Sequence, residues 1–235
     1  MRWTVGIVVV FLVVLLLAGE LFLPWVVARG VARSLENTYG VGGDFAVSLS
    51  SRPALRMLFG KVDRLTVDNR RVQTATMAID SIAVTIEDVS LNLQQLLRLQ
   101  LDSTRDSAMH AVFSISEGNL RAYVLDNVEG LAEPQFKVFD DRAALAGYMK
   151  FAATPVLVAA EGRFVQSGEQ RVLFVVDTLS IEGEPVPERI AEVLLSALGG
   201  PELFIDLAGL PMPMVIKEVK MRDGWLIIEA ATPVR

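Results

Sequence analysis

Apolar and polar residues alternate along most of this chain, and this pattern predicts β-strands. The clearest example is Ile82, Val84 and Ile86, and the segments 109–115 and 171–181 follow the same rule. Successive side chains of a strand point to opposite faces, so a period of two indicates sheets with one apolar face. The polar segment 68–70 has room for a turn but not for a crossover helix, which predicts antiparallel neighbours.

Helical periodicity is found in fewer places. It predicts helices at 27–39, at 116–128 after Ser116, and at 187–198 before a Gly-Gly pair, with a short helix from Ser50 to Gly60. Strands with a few helices, and no strict strand-helix alternation, indicate the α+β class with a mainly antiparallel sheet.

The N-terminus carries one long apolar run. Trp3 to Gly19 contains no charge, and Trp3 and Trp25 lie at the ends of the apolar region, where aromatic side chains favour the lipid headgroup layer. The run predicts a signal anchor or transmembrane helix over 1–29 and a folded domain over 30–235. A cleaved signal peptide is the alternative, although no A-x-A-like site follows. The predicted localisation is the cell membrane, single-pass, with the domain on the extracytoplasmic side.

Composition removes several function classes. The 235 residues carry a net charge of −6 and include no cysteine and one histidine. The charge and the absence of basic runs exclude nucleic acid as an expected partner, and the missing cysteine excludes disulfides and thiolate metal sites. His110 lies in an alternating strand, no G-x-S-x-G motif is present, and the acidic pairs are typical of solvated surface. We therefore expect no enzyme, no metal and no cofactor.

Apolar residues next to Gly or Pro breaks are the remaining candidates for function. Adaptable Met and flat aromatic side chains suit acyl chains of variable shape, and basic residues beside them suit a phosphate headgroup. For each residue, ordinary core packing is the competing interpretation. The predicted lipid-binding residues are Leu55, Met57, Leu58, Phe59, Leu210, Met212, Met214 and Trp225, and the predicted headgroup residues are Arg52 and Arg56.

A group of softer motifs resembles the LmeA-like family of bacterial phospholipid-binding proteins. They are Pro53 with Leu58-Phe59-Gly60 and Leu65-Thr66-Val67, Ile86 to Val89, Ser116 to Leu120, and a tail with Leu210-Pro211, Val219, Gly224, Leu226 and Ile228. The resemblance covers most of residues 30–230. It implies an exported or anchored protein that binds phospholipid in a curved-sheet cavity like that of tubular lipid-binding domains. It also implies a service role for enzymes of envelope glycolipids.

The resulting hypothesis is a membrane-anchored extracytoplasmic protein that binds phospholipid or a similar amphiphile in an apolar groove, in lipid transfer or envelope glycolipid assembly. Its expected partners are membrane lipid and envelope biosynthesis proteins. The alternative is an envelope assembly or interaction protein without a lipid ligand, whose apolar residues only fill a core.

Overall fold

The structure is a computed structural model of the chain. It describes residues 20, 22, 24–30, 44–74, 77–90, 108–128, 130–151, 154–187, 189–191, 204–207 and 214–233. Strands make up 64% of these residues, and the sheets are mostly antiparallel. The α+β prediction is therefore wrong, because the described chain is a mainly-β protein with few helices. The alternating segments form strands of up to 13 residues, which outweigh the short helices in the described part of the chain.

The predicted transmembrane helix needs the same correction. No helix within the described residues, which begin at Glu20, is both long and apolar enough to cross a membrane. This finding overturns the membrane span predicted over 1–29 and the single-pass localisation inferred from it. The run from Trp3 to Gly19, on which the prediction rested, lies outside the described residues, as do the predicted helical segments 31–39 and 192–198.

The chain divides into two compact units. The first unit comprises residues 1–70 and 83–110, and the second comprises 71–82 and 111–235. Their strands and helices, in chain order, are β1 Asp44–Ser50, a 3₁₀ helix Ala54–Phe59, β2 Lys61–Gln73, β3 Ala78–Ser90, β4 Met109–Ser116, α1 Glu117–Asn127, β5 Leu131–Val138, β6 Ala143–Phe151, β7 Thr154–Gln166, β8 Arg171–Ile181, β9 Glu184–Pro185, β10 Phe204–Asp206, β11 Val215–Arg222 and β12 Trp225–Ala231.

In the first unit, β1 pairs with β2 and β2 is followed in the sheet by β3. Leu49 lies opposite Leu65 in the β1–β2 register, so both side chains lie on the same face. Buried residues from three strands and the 3₁₀ helix form one core cluster on this face, and half-buried residues pack against it, including Val27 and Ala28 of the helical segment 24–30. The buried members are Leu49, Met57, Val62, Leu65 and Val89.

In the second unit, one sheet has the strand order β3-β4-β12-β11. Its inner face carries fully buried side chains from β4 and β12, among them Phe113, Ile115, Leu226 and Ile228. The second sheet has the order β10-β8-β7-β6-β5, with β9 paired to β8. Helix α1 packs against β5, and β11 contacts β7. Both sheets of this unit therefore contribute to one packed interior.

Side-chain amides tie β11 to the turn between β7 and β8. The amide of Gln166 donates to the carbonyl oxygen of Ile216 at 3.0 Å, and that of Gln170 donates to the carbonyl oxygen of Met214 at 3.1 Å. The backbone N–H of Ile216 donates to Glu169 at 2.7 Å. These bonds connect the start of β11, which pairs with β12, to the end of β7 and the turn that follows it.

Candidate functional site

The first predicted cluster falls on the 3₁₀ helix of the first unit. This helix has three residues per turn, so Ala54, Met57 and Gly60 lie on one side and Arg56 and Phe59 on another. Met57 is 2% exposed within the core cluster, whereas Phe59 is 83% exposed. The side chains of Leu55 and Leu58 lie outside what the structure describes. Of the two members whose side chains are described, Met57 is therefore a core residue and Phe59 a surface residue.

The two predicted headgroup residues share one carboxylate. The guanidinium of Arg56 lies 2.6 Å from Oδ1 of Asp63, and the backbone N–H of Arg52 donates to Oδ2 at 2.8 Å. The ion pair is about 40% exposed, so water screens it strongly and the guanidinium remains accessible. Asp63 thus fixes the start of the helix and holds Arg56 beside the exposed Phe59.

The second predicted cluster lies in the second unit, and the structure describes half of it. Leu210 and Met212 lie outside the described residues. Met214 is buried directly before β11, while Trp225 begins β12 after the turn at Asp223 and Gly224 and is 42% exposed. Of the two described members, Trp225 has a side chain that a ligand in solution can reach, and Met214 does not.

A larger apolar surface, not singled out from the sequence, covers one side of the second sheet. Residues paired across antiparallel strands lie on the same face, so the register of β5 to β8 defines five rows. Every member is apolar or glycine, and we call this surface the apolar face. The rows are Phe164 and Phe174; Val138, Ala143, Gly162 and Val176; Phe136, Leu145, Ala160 and Leu179; Gly147, Val158 and Ile181; and Leu131, Met149 and Val156.

The apolar face is sealed at one end and half-open at the other. At the sealed end Phe136, Phe164 and Phe174 are buried, with ring centroids 5.2–6.1 Å apart. At the other end Val158 and Ile181 are only half-buried, as are Leu131 and Val156 in the last row. The apolar alternation of β6 and β7 was visible in the sequence. The order of the strands, which joins these rows into one surface, was not.

Glycine on this face lets neighbouring groups approach the sheet closely. Gly147 sits between Leu131 and Val158, and a Cβ placed on it would come within 2.7 Å of the Leu131 side chain. Leu131 therefore leans over the position that a larger side chain would fill. A thin, flexible apolar ligand suits a surface that alternates valine and leucine with small residues.

The polar residues of the resemblance motif around α1 have a structural role. The carboxylate of Asp80 accepts from the backbone N–H of Ser116 at 2.6 Å and from the side-chain amide of Asn119 at 2.8 Å. Glu117 accepts from the backbone N–H of Val138 at 2.8 Å, and its own N–H donates to the carbonyl oxygen of Gly224 at 3.1 Å. These bonds connect the N-terminus of α1 to β3, β5 and the last hairpin.

Titratable groups in the described ranges carry structural contacts. His110 is exposed on β4, Glu87 pairs with Arg64 at 3.0 Å, and Asp140 accepts from the N–H of Asp223 at 3.2 Å. Within the part of the chain that the structure describes, no group of three or more His, Cys, Asp or Glu side chains is arranged to hold a metal ion. Burial, followed by the charge of Asp206, raises the pKa of Tyr123, which therefore stays neutral.

Comparison with known proteins identifies a family. Residues 18–231 match the family model described as LmeA-like phospholipid-binding. Comparison with curated proteins and with solved structures gave no match. The family is a lipid-binding family and not an enzyme family. Because the matched segment covers most of the chain, this protein belongs to the LmeA-like phospholipid-binding family.

Proposed function

We propose that the protein binds phospholipid by laying an acyl chain along the half-open end of the apolar face. Family membership supports a lipid ligand, and the observation that carries the site is that Val158 and Ile181 of one row, with Leu131 and Val156 of the next, are only half-buried. Val158 and Ile181 expose apolar area to water beside a sealed aromatic cluster. An acyl chain placed there removes water from both surfaces.

The driving force is desolvation alone. Each methylene group taken out of water contributes about 0.8 kcal/mol, so a chain of about sixteen buried methylenes contributes about 13 kcal/mol, which leaves about 8 kcal/mol, or micromolar affinity, after an association cost of about 5 kcal/mol. No bond is made or broken, which agrees with a site built from Val, Leu, Ile, Met, Phe, Ala and Gly. Binding without a covalent bond is reversible, and this allows transfer, since a half-open surface releases a chain through the opening by which it enters.

The exposed side of the 3₁₀ helix is the part of the first unit that we assign to lipid contact. Phe59 offers an apolar ring, and Arg56 offers donors that suit a phosphate oxygen. Met57, which is buried beneath them, supports the helix and does not contact the lipid directly in this proposal. A role beside enzymes of envelope glycolipid assembly is the wider extension of this function.

The test is native mass spectrometry of the purified full-length protein, followed by binding of a fluorescent phospholipid to two variants. Val158→Glu places a charge on the half-open end, where water can hydrate it, so we expect binding about tenfold weaker, or about 1.4 kcal/mol, and a melting temperature within several degrees. Tyr148→Glu is the matched control, because Tyr148 is exposed on the opposite face of the neighbouring strand.

The proposal is wrong about the site if both variants bind as the unmodified protein does. It is wrong about the function if the protein carries no lipid and takes none from phospholipid vesicles. That second result would favour the alternative of an interaction protein without a lipid ligand. Movement of the fluorescent lipid from donor to acceptor vesicles, faster with protein than without, would extend binding to transfer.

A further inference from the structure

A β-bulge in β5 determines which face of the sheet the Leu131 side chain occupies. Two residues of β5, Glu133 and Pro134, lie opposite one residue of β6, Gly147. The extra residue shifts the two-residue alternation by one position, so Leu131 joins Phe136 on the apolar face. Glu133 adopts a φ of 51°, in the left-handed region that residues other than glycine seldom occupy. The chain thus keeps a strained backbone at the point that turns Leu131 toward the apolar face.

Leu131 fills a hollow above Gly147. A Cβ placed on Gly147 would lie 2.7 Å from Cδ1 of Leu131 and 2.8 Å from its Cγ. The Leu131 side chain therefore occupies the volume that a side chain at position 147 would take. Leu131 is only half-buried, so a ligand that lies along the half-open end of the apolar face can contact it. Both the hollow and the residue that fills it belong to the surface that we assign to the acyl chain.

The other half-buried side chains of the last two rows cannot yield in the same way. They are Val156, Val158 and Ile181, and each is branched at Cβ, which restricts rotation about χ1. A straight acyl chain can lie against these side chains without moving them, whereas a methyl branch on the chain needs a recess in the surface. Gly147 supplies such a recess, and Leu131 closes it.

We propose that Leu131, by filling this hollow, makes the half-open end of the apolar face select unbranched acyl chains over methyl-branched ones. A mid-chain methyl group meets Leu131 where a straight chain passes beside it. Either the branch then stays in water or Leu131 leaves the hollow, and both leave apolar area exposed that a straight chain would bury. The inference rests on the proposed lipid binding and adds the shape of the chain as a criterion of selection.

The experiment uses two isomeric probes that differ only in the shape of the chain. They are two 1-acyl lysophosphatidylcholines with the same number of carbon atoms, one with a straight chain and one with a mid-chain methyl branch. Each is used below its critical micelle concentration to displace a fluorescent phospholipid from the full-length protein. We expect the straight isomer to bind about fourfold more tightly, which corresponds to one methyl group left in water. Leu131→Ala opens the hollow, so this preference should fall to about one.

Two further variants separate the hollow from a general loss of apolar surface. Val156→Ala is the matched control, because Val156 and Leu131 are both half-buried and lie on opposite sides of Met149 in the same row. It should weaken the binding of both isomers and keep their ratio. Leu131→Ala combined with Gly147→Ala puts a methyl group back into the hollow, so it should restore a preference for the straight isomer. Each ratio compares two ligands of one protein sample, so partial unfolding of a variant does not change it.

Thermal unfolding checks the geometry without a ligand. Gly147→Ala should lower the melting temperature by several degrees in the otherwise unmodified protein, because its new Cβ collides with the Leu131 side chain. The loss should be clearly smaller when Leu131 has already been replaced by alanine. Equal losses in the two backgrounds would show that Leu131 does not fill the hollow, and they would overturn the inference.

Equal affinity of the two isomers for the unmodified protein also overturns the inference, and so does a preference that survives unchanged in Leu131→Ala. If neither isomer displaces the fluorescent phospholipid, and phospholipid vesicles also deliver no lipid, the proposed function fails with it. Displacement by both isomers at the same concentration leaves the proposed function in place and removes only the role of Leu131.

Discussion

Met57 and Phe59 are two residues apart, and the structure predicts opposite responses to their removal. Met57 is 2% exposed and packs within the core cluster of the first unit, whereas Phe59 is 83% exposed on the other side of the same 3₁₀ helix. We expect Met57→Ala to destabilise the fold strongly and Phe59→Ala to leave its stability almost unchanged. The comparison tests whether this helix has a core side and a ligand side.

The expected magnitudes follow from burial. Met57→Ala removes about three methylene-sized groups, or about 2.4 kcal/mol of transfer free energy, and the cavity left among Leu49, Leu65 and Val89 adds about 1–2 kcal/mol. The melting temperature should therefore fall by about 7–18 °C for a chain of this size. Phe59 buries about a sixth of its surface, so its truncation should cost about 0.5 kcal/mol or less.

Urea unfolding of the full-length protein, followed by tryptophan fluorescence and by circular dichroism, measures both values. Lipid binding measured on the same samples should fall for Phe59→Ala at unchanged stability, since this ring is assigned to lipid contact. Similar small losses of stability for both variants would refute the assignment of Met57 to the core. A large loss for Phe59→Ala would show that its ring is buried by a contact absent from this structure.

Two further predictions concern the second unit. Gly162→Ala should destabilise the protein by about 2 kcal/mol or more, because the new Cβ would collide with the backbone carbonyl of Val175 at a β-bulge. Thermal unfolding measures this loss of stability, and an unchanged melting temperature would contradict the bulge geometry. Burial, and then the charge of Asp206, raise the pKa of Tyr123 above its ordinary 10.0, so the fold favours the neutral phenol and loses stability as pH rises above about 10. In Tyr123→Phe the free energy of unfolding, measured by urea titration, should fall less steeply with pH between about pH 9 and 11. The same pH dependence in both proteins would show that Tyr123 does not contribute.

The strands could be predicted from the sequence because their signal is local. The alternation at Ile82, Val84 and Ile86 lies inside β3, and the segment 109–115 lies inside β4. Helix α1 was expected at 116–128 and spans Glu117–Asn127. Each prediction needed only the two-residue period of a strand or the wider period of a helix. The motif from Ser116 to Leu120 that carried the family resemblance marks the junction of β4 and α1.

The fold class and the site could not be predicted in the same way. The four large apolar residues between Pro53 and Gly60 look alike in an α-helical pattern, and the 3₁₀ period of three separates Met57 from Phe59. The order that places β4 next to β12 joins segments more than a hundred residues apart, and no local pattern encodes it. The apolar face has the same origin, because its rows exist only once β5 to β8 are in register.

Half-buried apolar side chains have a thermodynamic meaning in both units. Val158 and Ile181 in the second unit, and Val47 and Val67 in the first, retain area whose burial would stabilise the free protein. A chain that sealed these positions with its own side chains would be more stable and would have no driving force left for a ligand. Under the proposed function, incomplete burial in the free state supplies the driving force for binding an amphiphile by desolvation.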